Sequence, residues 1–129
     1  MIPESKWIWY GKPGHLCVSD ECRFHLCTKV GEYLISSVGD YRPSRLRGMV
    51  EPIGGGENEY YETSVFKCTG GSACPSPKSC GCGLPAVNWA SVITERSETC
   101  GECQSAHARY CAEFAATVSV ADGGDTNAQ

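Results

Sequence analysis

The sequence has no excess of basic charge: Lys and Arg total 11 against 15 Asp and Glu, a formal charge of −4 at pH 7. Unselective phosphate binding relies on Lys and Arg displacing counterions, so this balance argues against nucleic acid as a partner. Residues 1–67 are nearly balanced, with eight Lys/Arg and nine Asp/Glu, whereas 68–129 carry three and six. The acidity therefore belongs to the second half. Nor does any apolar stretch approach the roughly 20 residues of a membrane span, and no membrane contact is expected. The opening "MIPESKWIWYGKPGH" carries Glu4 and lacks the apolar run of an export signal, which leads to an expectation of cytoplasmic location. Recognisable catalytic signatures are missing too. There is no HExxH, no Ser/His/Asp signature and no HxE followed by PCxxC, and "GGGEN" lacks the Lys-Ser/Thr ending of a phosphate-binding loop.

What is abundant is cysteine, ten in 129 residues, several times the usual share. A chain of this length holds one modest core, and a covalent or metallic supplement to that core is expected. In a reducing compartment, clustered CxC and CxxC spacings read as metal or redox motifs before they read as structural bridges.

Residues 6–68 read as short strands. "KWIWY" (6–10), "HLCVS" (15–19), "RFHLCTKV" (23–30), "YLISSVGDY" (33–41) and "YYETSVFKC" (60–68) are rich in aromatic and β-branched residues. In 23–30 the alternation puts Phe24, Leu26, Thr28 and Val30 on one side, and Arg23, His25, Cys27 and Lys29 on the other. Gly31 and Glu32 make a two-residue turn, so 23–30 and 33–41 are expected to form a hairpin. The stretch 42–59, with two prolines and four glycines, is a long loop. Its Arg42, Arg45 and Arg47 are the one local basic concentration, read first as a solvated loop and second as a dock for an acidic partner or a nucleic-acid backbone.

"TGGSACPSPKSCGCGLP" (69–85) has too few large apolar side chains to pack itself. From about Thr99 an Ala-rich helix begins, with Thr99 as N-cap and Glu102 three residues on, the capping-box spacing. The tail 117–129 is small, polar and expected to be disordered, leaving residues 1–116 as one domain.

On that helix, positions 100, 103, 107 and 111 fall within roughly 80° of arc, so Cys100, Cys103, His107 and Cys111 share a stripe. Two of them, His107 and Cys111, stand at the i, i+4 spacing that offers two ligands to one ion. The "CGCG" turn supplies Cys80 and Cys82. Together these four give an expected tetrahedral zinc site that would clamp 69–85 onto the helix, with Cys74 and Cys103 as substitutes. Burial of such cysteines as small hydrophobes is the plainer reading, preferred for Cys100. "CGEC" at a helix start also fits thiol exchange, but a redox site of that kind needs a preceding strand, and a loop is expected there.

A second cluster comprises His15, Cys17, Cys22, His25 and Cys27. It reads as polar residues on a partly solvated sheet face, as a metal site through His15, Cys22 and His25, or as a nucleophilic Cys22 with a histidine base. Strand register decides among the three.

The blocks "WIWYGKPGH", "CRFHL", "SSVGDY", "YETSVF" and "CGCGLP" resemble a group of small uncharacterised bacteriophage and bacterial proteins, across most of residues 7–111. Those proteins are similar in carrying the CxC-Gly turn and a late His followed by Cys four residues on, matching Cys80, Cys82, His107 and Cys111. They also carry a His and a CxxH-like block near His15, Cys22 and His25. The extra cysteines here, Cys27, Cys68, Cys100 and Cys103, depart from that pattern. The resemblance implies a phage or mobile-element origin and no activity.

The expectation is a zinc-stabilised α+β domain, a small antiparallel sheet from 6–68 with one C-terminal helix. It would act by binding a protein, as an inhibitor of a host or defence component. A small metal-dependent or thiol enzyme and a phage structural component are the alternatives.

Overall fold

The computed structural model describes residues 2–10, 21–47, 49–53, 56–72 and 85–122. Six strands, β1 (Ile8–Trp9), β2 (Cys22–Val30), β3 (Tyr33–Tyr41), β4 (Tyr61–Ser72), β5 (Pro85–Val87) and β6 (Ile93–Ser97), precede one helix, α1 (Cys100–Asp122). All pairings are antiparallel and follow chain order from β1 to β4, with β5 and β6 both on β4. The protein is α+β: a meander with a helix laid across one face.

The hairpin expected at 23–30 and 33–41 forms, with Val30 opposite Tyr33. Its turn needs a residue in the left-handed region, and Gly31 sits there at φ 60° without a Cβ penalty. A second glycine is demanded by crowding: Gly39 lies between Phe24 on β2 and Tyr61 on β4. A Cβ on Gly39 would run into the Tyr61 ring, which instead lies edge-on to Phe24 with centroids 5.5 Å apart.

Alternation splits the core into two. On the helix side Val30, Ile35 and Val65 pack against Ala106, Tyr110, Cys111 and Ala115, joined by Ile2, Trp7, Tyr33, Ile93 and Phe114. On the opposite side Cys27, Leu34, Phe66 and Val87 cluster with Tyr10 and Cys68. The helix starts where the capping box placed it. Glu102 N–H donates to Thr99 Oγ1 at 3.1 Å, while Glu102 Oε1 accepts from the N–H groups of Glu98 and Thr99. Farther along, Glu95 of β6 accepts two bonds from Arg109 and one, at 2.7 Å, from the Tyr110 hydroxyl, which pins α1 over the sheet edge. Those two partners, Tyr110 first, hold the Glu95 carboxyl below its ordinary range.

Three expectations are revised. The sheet does not stop at residue 68, because β6 pairs with β4 from Tyr61↔Ser97 to Val65↔Ile93. Strand β5 pairs with β4 at Cys68↔Val87 and Ser72↔Pro85, with the register shifting between those two pairs, so β4 is followed by β5 and β6 in turn along its length. The connection between β5 and β6 carries Trp89, edge-on to Phe66 at 5.3 Å. The strand expected over 6–10 shortens to Ile8–Trp9, and the helical backbone runs through Asp122, past the boundary expected at 116. The strand expected at 15–19 lies outside the described residues; of the zinc-knotted loop expected over 69–85, residues 69–72 extend β4 and Pro85 opens β5, while 73–84 lie outside the described residues.

Candidate functional site

The stripe on α1 docks onto hydroxyls. Cys103 and Cys111 are fully buried and His107 is 2% exposed, and opposite them stand Thr28 of β2, Ser37 of β3 and Thr63 of β4, all buried. Each side chain arrives by a simple route. Thr28 shares its face with Val30 by alternation, and Ser37 and Thr63 are direct cross-strand partners. The oxygens of Ser37 and Thr63 are 2.6 Å apart.

Between these elements His107 is bonded at both ring nitrogens, Nε2 to Thr28 Oγ1 and Nδ1 to Ser37 Oγ, each at 2.8 Å. A hydroxyl donates or accepts, so either neutral tautomer is satisfied. The chain of contacts extends both ways: Thr28 also bonds the Cys111 thiol, and Thr63 Oγ1 lies 3.6 Å from Cys103 Sγ. Trp9, 57% exposed, stacks above the imidazole at 6.4 Å and 26°. Cys111, Thr28, His107, Ser37, Thr63 and Cys103 thus form one polar seam through an otherwise apolar interface.

Burial governs the electrostatics of the seam. It lowers the His107 pKa from 6.5 to about 4, so the ring is neutral at pH 7, and raises that of Cys111 to about 11. The Cys103 thiol is also pushed up by burial, against opposing bonds from Thr63 and Ser37. A neutral, doubly bonded imidazole among protonated thiols and hydroxyls resists proton transfer, and among the described residues no carboxylate bonds the ring to orient or charge it. The arrangement is one of structural complementarity.

The expected zinc ligands are distributed as follows. His107 and Cys111 do face one way and meet at Thr28. Zinc takes an imidazole nitrogen at about 2.0 Å, whereas both nitrogens here hold oxygen partners at 2.8 Å. As placed, the pair does not fit a tetrahedral site. Cys80, Cys82 and Cys74 lie outside the described residues. Among the described residues no three His, Cys, Asp or Glu side chains gather as a metal group.

Of the second cluster, Cys22 and His25 do not converge. Cys22 and His25 are three apart on one continuous strand and so project from opposite faces. His25 is exposed, and Cys22 is held up at about 11 by burial and by Asp40 and Glu62, the reverse of an activated thiol. His15 and Cys17 lie outside the described residues. In the arginine loop, Arg42 pairs with Asp40 at 2.7 Å and Arg45 with Glu51.

Sequence reading did not assign Thr28, Ser37, Thr63 or Trp9 to the seam. One signal was present: Thr28 and Ser37 are polar interruptions on strand faces that otherwise alternate toward a core. No family model, curated protein or solved structure matches this chain.

Proposed function

We propose that this chain is a small non-catalytic binding protein that acts on a protein partner, an accessory factor of phage or mobile-element origin working in the cytoplasm of its host. The observation that carries this reading is the closure of the polar seam. Its imidazole, thiols and hydroxyls are buried and bonded to one another, so they offer no acid, base and nucleophile to a substrate. Large apolar side chains stand outside instead. Trp89 is 47% exposed and Val92 51% on the connection between β5 and β6, and aromatic anchors of that kind are what protein interfaces use.

Zinc enters the proposal as a stabiliser of the segment after β4, where Cys80 and Cys82 offer two thiolates at CxC spacing. His107 would join them only by giving up Thr28 or Ser37.

Affinity capture from host cells with the native chain and with Trp89→Glu tests the reading. A partner that is recovered by the native protein and lost with the variant, at an unchanged melting midpoint, is the expected result. Turnover of a substrate, or assembly of the chain alone into large particles on sizing, would favour an enzyme or a structural component.

A further inference from the structure

We infer that Cys100 and Cys103 are a thiol-exchange site, closing a reversible disulfide across the first turn of α1 in reaction with small-molecule disulfides. This stands apart from the binding reading and from the four expected zinc ligands, Cys80, Cys82, His107 and Cys111.

The junction differs from the sequence expectation in the respect that matters. A loop was expected before the helix, but β6 ends at Ser97 and α1 begins at Cys100, so "CGEC" sits at a strand-to-helix turn. The reciprocal bonds between Thr99 and Glu102 hold that turn in helical geometry. Residues three apart on a helix have β-carbons about 5–6 Å apart, somewhat wider than the roughly 3.5–4.5 Å of a bridged pair. Gly101, around which a Cβ would meet nothing, gives the backbone between the two cysteines room to close the difference.

The two thiols are unequal in the way exchange requires. Cys100 is half-buried and stands at the helix start, where a disulfide in solution can reach its sulfur. Cys103 is wholly buried against Thr63. Cys100 is therefore the attacking sulfur and Cys103 the resolving one.

In the first step the Cys100 thiolate attacks one sulfur of a disulfide RSSR, forming a protein–SR bond and expelling RS⁻. In the second the Cys103 sulfur, giving up its proton, attacks Cys100 Sγ and expels the second RS⁻. Two protein thiols are oxidised, RSSR is reduced to two RSH, and the protons end on the departing thiols. Closure draws Cys103 Sγ away from Thr63 Oγ1, so oxidation shortens the buried seam at the end nearest the solvent.

The full chain, equilibrated in mixtures of reduced and oxidised glutathione, quenched in acid and then alkylated after unfolding, provides the test. Trypsin cuts after Arg96 and Arg109 and releases Ser97–Arg109, whose cysteines are Cys100 and Cys103 alone. The expected result is that this peptide loses two hydrogens as oxidised glutathione rises and regains them on return to reduced glutathione. In Cys103→Ala the same peptide should carry a glutathione adduct on Cys100, and Cys100→Ser should show neither change. The inference is overturned if the native peptide keeps both thiols. It is equally overturned if Cys100 ends as a stable adduct or is cross-linked to a cysteine elsewhere. The native chain decides by itself should either variant fail to fold.

Discussion

Ser37 and His107, 70 residues apart in sequence, meet at 2.8 Å between hydroxyl and Nδ1 in the interface of sheet and helix. Ser37 also reaches Thr63 at 2.6 Å, so one serine hydroxyl links the imidazole to the neighbouring strand.

Replacing Ser37 with Ala strands two buried groups at once, the Nδ1 of His107 and one bond of Thr63. Leaving a buried polar group unsatisfied costs about 1–3 kcal/mol, and Ser37→Ala is expected to destabilise by that order. Ser36, its neighbour on the opposite face, is buried as well but lies away from the helix. Urea midpoints of Ser37→Ala measure the loss, and a midpoint equal to the native one would mean that the seam contributes nothing.

His107→Ala should damage the fold more than His25→Ala. The first removes a ring that is 2% exposed and unties Thr28 and Ser37, for a cost of about 2–4 kcal/mol from cavity and lost bonds together. The second truncates an exposed side chain and should cost no more than roughly 1 kcal/mol. Thermal midpoints compare them. Zinc content measured on the same two proteins separates the roles of His107. Metal retained by His107→Ala places any ligands elsewhere, and metal lost with it returns the imidazole to the ligand set.

Stability should fall with acid through a window set by His107. Its folded pKa is about 4 against 6.5 for the free group, so between those values the unfolded chain binds the extra proton. Stability contributed by the neutral ring is complete above about pH 6.5 and is lost as pH falls toward 4. At about 1.4 kcal/mol per unit, the separation amounts to on the order of 3 kcal/mol. Unfolding midpoints of the native chain and His107→Gln across pH 7 to 4 should converge as pH falls. Parallel curves would assign the acid sensitivity to other groups.

Gly39→Ala should be disproportionately harmful for a change of one methyl group, because the new Cβ meets the Tyr61 ring packed on Phe24. Overpacking of this kind costs about 1–3 kcal/mol. In the background of Tyr61→Ala, where the ring is gone, the same substitution should be nearly neutral. A double-mutant cycle reads the coupling directly.

The sequence by itself determined the elements whose signals are local. Alternation along 23–30 and 33–41 with Gly31 between them specified the central hairpin, and Thr99 with Glu102 specified where α1 starts. The spacing of Cys103, His107 and Cys111 specified that they share a helix face. Only the tertiary structure decided what that face meets. Thr28, Ser37 and Thr63 come from three strands whose register and helix docking depend on pairings far apart in the chain, and they bring hydroxyls to His107 and Cys103. Tertiary pairing likewise created β5 and β6. Their sequences are short, three and five residues, and that of β6 is largely polar, too weak to declare a strand alone, and they pair because β4 offered an edge whose backbone groups needed partners.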